Sequence, residues 1–312
     1  MLENFYCLNA HCPQFFTAVF FVFGAIVGSF LNVCIFRIPR GESIVYPGSH
    51  CACGKPIPFR HNIPILSWFL LRGRAACCGR RFGFRYPAVE FLSAALFAAA
   101  WEFLPWQDAL AMMVFCAFGI VLALIDWDTM MLPDSVNAPF VLAGLVVSAL
   151  LPEIHSGVVA DENCPRILFC LRDGLIPAVV GMCVGGSLSY WFRYFASVIM
   201  RREALGEGDV ILLGGIGAFF GWQGAIFAFF ASAFIGLFAA LIFKIFGKKF
   251  TRRQREQEAS MLSLEGGEDV EEFEKNASEP FPLGPWLIAG ALIYRAAGEQ
   301  ICEFFFAGFR AI

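Results

Sequence analysis

Two stretches decide how this chain is read: Ala123-Leu-Ile-Asp126-Trp-Asp128-Thr-Met-Met-Leu132-Pro133-Asp134, and Glu203-Ala-Leu-Gly206-Glu207-Gly208-Asp209-Val-Ile-Leu212. Each sets carboxylates at the end of a run apolar enough to lie in a bilayer. An ionised carboxylate there is costly unless it is paired, hydrated or functional. The rest of the chain reads as a scaffold that brings Asp126 and Asp209 together.

The composition supports a membrane setting. Of 312 residues, 58% are hydrophobic, 16% are charged and 37 are Phe, with a mean hydropathy of +0.66. Soluble domains carry roughly 25% charged residues, so the expected fold class is an all-α polytopic membrane protein. A net charge of −3 carries no nucleic-acid signal. Spans of about 20 apolar residues cross the hydrocarbon core. They are expected near Gln14–Phe36, Tyr86–Leu104, Gln107–Ile125, Ser135–Leu151, Gly174–Ile199, Asp209–Gly221, Gln223–Ile245 and Leu283–Phe306, about eight transmembrane helices in all. The N-terminal residues contain no Lys or Arg and so no basic n-region of a cleaved signal. The first apolar run is therefore expected to stay as a helix.

Basic residues cluster at 37–85, at Arg201-Arg202 and at 244–255. With alternating spans all three fall on one side, which the positive-inside rule makes cytoplasmic. The N-terminus, the Pro152–Asp173 loop and the C-terminus then face outward. The expected domains are 1–36, the outward N-terminus and first helix; 37–85, a cytoplasmic Cys- and Arg-rich segment; 86–246, a helical core; 247–282, a charged cytoplasmic loop; and 283–312, the last helix. In the loop, basic residues near the membrane give way to acidic ones, the pattern of a solvated linker.

On this topology Asp126 follows the third span and Asp209 opens the sixth, both at the cytoplasmic surface. Two carboxylates at one depth can share a proton, one serving as acid while the other activates water. Gly206 and Gly208 let backbone and substrate approach Asp209 closely. Pro133 keeps Leu132 out of helical geometry. The plainer alternative is helix capping, for which Asp128, Asp134 and Asp209 are all suitable types. Gly-x-Gly-Asp alone is a weak motif. Joined to Asp-x6-Pro-Asp on another span, it is much more specific.

These residues resemble the two catalytic motifs of the type IV prepilin peptidases, polytopic GxGD aspartyl proteases. Upstream, Gly28-Ser-Phe-Leu-Asn32-Val-Cys-Ile-Phe-Arg37-Ile-Pro39 is similar to the family's signature at the end of its first helix. His61-Asn62-Ile-Pro64-Ile-Leu-Ser67-Trp, Arg72-Gly73-Arg74 and Arg85-Tyr86-Pro87-Ala-Val-Glu90 follow in matching order. The matches run from about Gly24 to Trp222 and leave the C-terminal third uncovered. The resemblance implies an endopeptidase of the bacterial inner membrane. Its substrates would be prepilins or the pseudopilins of type II secretion, cut after a Gly just before a hydrophobic helix. Asp126 and Asp209 would be its catalytic pair. It also implies N-methylation of the new N-terminal residue with S-adenosylmethionine, although the sequence contains no glycine-rich nucleotide fold.

The family's long form holds a zinc with two Cys-x-x-Cys pairs, and here the pattern departs. Cys51-Ala-Cys53 is one residue short, and Ala75-Ala76-Cys77-Cys78 has Ala where the leading Cys belongs. Cys51, Cys53, Cys77 and Cys78 are the candidate ligands, the alternative being reduced thiols without metal. Adjacent Cys77 and Cys78 are expected to strain around one tetrahedral ion. Cys7, Cys12, Cys164 and Cys170 fall on the outward side, where disulfides are permitted. Cys34, Cys116 and Cys183 fall in spans as packing residues. His11, His50, His61 and His155 are scattered and none neighbours either Asp, so a histidine-dependent hydrolase finds no support.

Two other classes share some of these features. A proton- or ion-coupled transporter also uses intramembrane carboxylates, but near the midplane and in repeated halves, neither of which is visible here. A presenilin-like protease shares GxGD, but no Pro-Ala-Leu follows Asp209 and the 37–85 segment would have no role.

Overall fold

A computed structural model describes residues 13–51, 53–156, 165–201, 205–245 and 282–298. Most of the expected charged loop, along with Cys7, Cys12 and Cys164, lies outside the described residues. The main helices are α1 (Pro13–Arg37), α2 (Arg85–Phe103), α3 (Trp106–Thr129), α4 (Asp134–Leu150), α5 (Ile176–Met200), α6 (Glu207–Ile245) and α7 (Gly284–Ile293). No strand occurs among the described residues, only the isolated bridges His50–Pro56 and Arg74–Arg81.

Among the described residues, four helices are long and apolar enough to cross a membrane: Gln14–Arg40, Trp106–Thr129, Arg166–Met200 and Glu207–Ile242. Asp134–Leu150 is apolar but shorter. This is fewer than the eight expected, for local reasons. The expected sixth and seventh spans both fall within Glu207–Ile245 (α6) and are divided at Gly221, whose φ of 70° and ψ of −177° no helix accommodates. The expected second span, α2, carries Arg85, Glu90 and Glu102. The last is described only as far as Gly298.

The chain divides into two compact units, Met1–Leu122 with Pro133–Val179, and Ala123–Leu132 with Val180–Ile312. In the first, α1 packs along α2 through small residues. A Cβ on Gly24 would stand 2.8 Å from the Ala94 Cα, and one on Gly28 2.8 Å from the Glu90 Cα. Lipid chains are as apolar as the side chains that face them, so helices associate through close backbone approach. Phe20 stacks on Trp101 at 4.2 Å, while Val22, Phe23 and Phe30 on α1 stay exposed, as lipid-facing residues do. Phe115 of α3 packs on Phe140 of α4 with ring centroids 5.7 Å apart.

The described residues of the 38–84 segment form no strands, only tight loops and short helical turns at Ile38–Arg40, Phe59–His61 and Leu66–Leu70. Gly54 (φ 81°) and Gly79 (φ 68°) occupy left-handed turns that side chains resist. Their amides donate to the carbonyls of Cys51 and Ala75, each at 2.8 Å. In the second unit the backbones of Gly181 on α5 and Gly217 on α6 touch directly. Gly290 of α7 lies against the Ala228 carbonyl of α6, and Tyr294 packs on Phe227, 5.5 Å away. Leu212, Leu213 and Ile216 are fully buried.

Of the cysteines expected to pack inside spans, Cys34 and Cys116 are buried but Cys183 is exposed. Its place on α5 is a surface position, where an apolar thiol suits lipid as well as a core.

Candidate functional site: a carboxylate pair and a cysteine cluster

Asp126 lies in the last turns of α3 rather than beyond it. The helix runs on to Thr129 and closes where Met130 (φ 53°) turns left-handed, its amide donating to the Asp126 carbonyl at 2.8 Å. Pro133 then caps α4. Asp134 is therefore a first-turn residue and Asp128 sits inside α3, so neither is the N-cap that their types suggested.

Asp126 is only 5% exposed. Its Oδ2 accepts a 2.8 Å hydrogen bond from the Gly284 amide at the start of α7. Asp209 lies in the first turn of α6, and its Oδ2 accepts the Gly206 amide at 3.2 Å. That is the backward bond of a capping box, so capping accounts for one of its oxygens. The other, Oδ1, is buried and makes no hydrogen bond among the described residues. Each carboxylate is thus fixed through one oxygen by a backbone N–H near a helix N-terminus, where the dipole favours negative charge.

Asp126, Asp209 and Gly284 all belong to the second unit. Two carboxylates fixed in one unit can supply the acid and the base that amide hydrolysis requires. A Cβ on Gly206 would come within 3.2 Å of the Asp209 Oδ2, while Gly208 sits in the first turn of α6. Gly284 escaped the sequence reading. Its contribution is a backbone amide, and the only hint was Gly284-Pro285 opening the last apolar run.

The cysteines are in the first unit. Cys51, Cys53, Cys77 and Cys78 bring their four sulfurs within 4.8 Å of one another. The Cys51–Cys78 and Cys53–Cys77 separations are 3.5 and 3.4 Å. Zn–S bonds of about 2.3 Å in a tetrahedron require sulfurs roughly 3.8 Å apart, so the donor set fits a zinc ion. Cys77 and Cys78, the adjacent pair expected to strain around one ion, both bring their sulfurs into the cluster, next to the left-handed turn at Gly79.

The sulfurs also alter one another's acidity. The Cys51 thiol is pulled down to about 7, mainly by the Cys53 backbone N–H, with help from the neighbouring thiols. Cys77 is pushed up to about 12, mainly by its hydrogen bond with Cys51. Crowded thiols hold one negative charge readily and resist a second.

Comparison with known proteins places the chain. Residues 22–103 match the bacterial peptidase A24 N-terminal domain, and residues 113–241 match the type IV leader peptidase family. A prepilin leader peptidase/N-methyltransferase of Dickeya chrysanthemi is 34% identical over 312 residues, covering 90% of this chain and 92% of that protein. The chain belongs to the type IV leader peptidase family. Proteins of the same name from Klebsiella pneumoniae and Myxococcus xanthus (strain DK1622) are 34% and 35% identical, covering 72% and 75% of this chain and 94% and 66% of their own. No solved structure matches. The A24 N-terminal match takes in α1 from residue 22 onward, the cysteine cluster and α2, and the leader peptidase match takes in Asp126 and Asp209.

Proposed function

We propose that this protein is a prepilin leader peptidase and N-methyltransferase of the bacterial inner membrane, acting on prepilins or pseudopilins. The observation that carries the peptidase half is the anchored pair, Asp126 and Asp209, far apart in sequence and held in one unit by backbone N–H donors. One carboxylate takes a proton from water as it attacks the scissile carbonyl, and the other protonates the leaving amine, with no covalent intermediate. The scissile bond lies just before the substrate's hydrophobic helix, so the pair works at the cytoplasmic membrane face, with the N-terminus outward and about eight spans in all. Nothing in the site favours a transporter.

Cys51, Cys53, Cys77 and Cys78 would hold a zinc ion that ties the loops of the 38–84 segment together. S-adenosylmethionine supplies the methyl group. Incubating the purified protein in detergent with a prepilin-like peptide and this donor, then reading the products by mass spectrometry, tests both activities. A peptide left whole would overturn the peptidase assignment.

The metal makes its own prediction. Zinc needs thiolates, yet only Cys51 among the shifted thiols ionises near neutrality, at about 7, while Cys77 stays protonated to about 12. Binding therefore expels protons, and affinity falls as pH falls, steeply below about pH 6. Elemental analysis after dialysis is expected to find stoichiometric zinc at neutral pH, little at acid pH, and none in a variant with all four cysteines changed to Ser. Metal-free wild type at neutral pH would remove zinc from the account.

A further inference from the structure

The first unit contains a cavity of about 780 Å³ between the end of α1, the start of α2 and the 38–84 segment. Sites for cofactor-sized ligands run to roughly 300–1,000 Å³. Its wall includes Arg37, which is 7% exposed. Among the described residues the guanidinium donates hydrogen bonds to the Ser43 and Gly48 carbonyls, at 2.9 and 3.3 Å, and has no carboxylate partner. Ser67 also lines the cavity; it is 8% exposed and its hydroxyl has no hydrogen-bond partner among the described residues. Leaving a buried hydroxyl unpaired costs free energy.

Glu90 forms another part of the wall, its Oε2 accepting the Ile65 amide at 2.6 Å. That bond holds Ile65 at φ 63°, a conformation a β-branched residue avoids and which persists only where surrounding structure enforces it. Beside Ser67, Trp68 adds an aromatic surface, its indole N–H donating to the carbonyl of Phe82, another lining residue, at 3.3 Å.

The cavity therefore presents a buried cation, a carboxylate, an aromatic face and an unused hydroxyl. That set suits a ligand carrying an anionic group, a cationic group and a flat ring, and it lacks the glycine-rich amide cradle of a phosphate site. We propose that this cavity binds S-adenosylmethionine. Arg37 takes the carboxylate of the donor's methionine part, Glu90 faces its cationic end, Trp68 offers a surface to the adenine, and the Ser67 hydroxyl gains a partner. This assignment rests on the methyltransferase reading above. It also puts the donor at the membrane end of α1 and α2, the depth at which an amine just ahead of a pilin's hydrophobic helix would lie.

The test measures binding rather than turnover. The full-length protein in detergent is irradiated with tritiated S-adenosylmethionine and digested, and the labelled peptide is mapped. Donor affinity of the wild type, Ser67→Phe and Arg37→Gln is then measured by equilibrium dialysis. Circular dichroism melting identifies any variant that has lost its fold. The expected result is label within residues 29–90 and donor binding at least about tenfold weaker in each folded variant, as loss of a charge-assisted hydrogen bond or filling of the site implies. Label on the wild type confined to other segments would overturn the assignment even if neither variant folds. So would unchanged donor affinity in a folded variant, and weakened prepilin binding at constant donor affinity would assign the cavity to the peptide instead. A wild type that binds no donor would overturn the methyltransferase reading as well, whereas donor binding with label elsewhere would spare that reading.

Discussion

Changing either Asp126 or Asp209 to Asn is expected to lower peptide cleavage by at least about 10³-fold, within the range for a lost general acid or base. Asparagine keeps the shape and can still accept the Gly284 or Gly206 amide through its Oδ1. Helix ends and packing should therefore survive, and membrane insertion should be normal. What the substitution removes is the capacity to exchange a proton. Asp128→Asn and Asp134→Asn are expected to do far less, since neither carboxylate has been identified as part of the anchored pair. A cleavage assay on the purified variants, each checked for thermal unfolding, decides the matter. Near-normal cleavage by either Asp126→Asn or Asp209→Asn would remove the pair from the mechanism.

The second large effect is expected at Gly284, which contributes no side-chain chemistry. Even a single added carbon there would stand 2.8 Å from the Asp126 Oδ2, well inside contact distance. The carboxylate is the movable partner, so the strain is relieved by pushing Asp126 aside. Valine adds two methyl groups to that push. Displacing a catalytic group by about 1 Å costs on the order of 10²-fold. Gly284→Val should therefore cut the turnover number by about that factor, while KM for the peptide changes little. Gly284→Ala should fall between it and the wild type. Full activity in the valine variant would mean that Asp126 does not need its bond to the α7 amide.

The carboxylates were legible in the sequence for a physical reason. Charge in an apolar run is expensive, so Asp126 and Asp209 stood out against their surroundings, and the paired spacings made the family resemblance specific. Gly284 could not be found the same way. An amide N–H is present at almost every residue, and only the fold selects the one that reaches a carboxylate 158 positions away. The cysteine cluster was half legible. The thiols were visible, but they converge beside left-handed turns at Gly54 and Gly79, and spacing alone suggested strain. Hydropathy placed apolar helices along the chain, and the end expected for the sixth span at Gly221 coincides with a break in backbone angle (φ 70°, ψ −177°). The Arg37–Ser67 cavity was invisible, since it depends on side chains from α1, α2 and the loops between them.

The central claim is a division of labour: the carboxylates of the second unit cleave, and the cysteine-bearing first unit methylates. One mass-spectrometric experiment bears on it most directly. Wild type, Asp209→Asn and the variant with Cys51, Cys53, Cys77 and Cys78 changed to Ser are each given an intact prepilin peptide and, separately, a peptide that already lacks its leader. The donor is present throughout. The account predicts that Asp209→Asn leaves the intact peptide whole yet adds a methyl group to the shortened one, and that the cysteine variant removes the leader yet methylates neither peptide. Loss of methylation of the shortened peptide by a folded Asp209→Asn, or loss of leader cleavage by a folded cysteine variant, would contradict it.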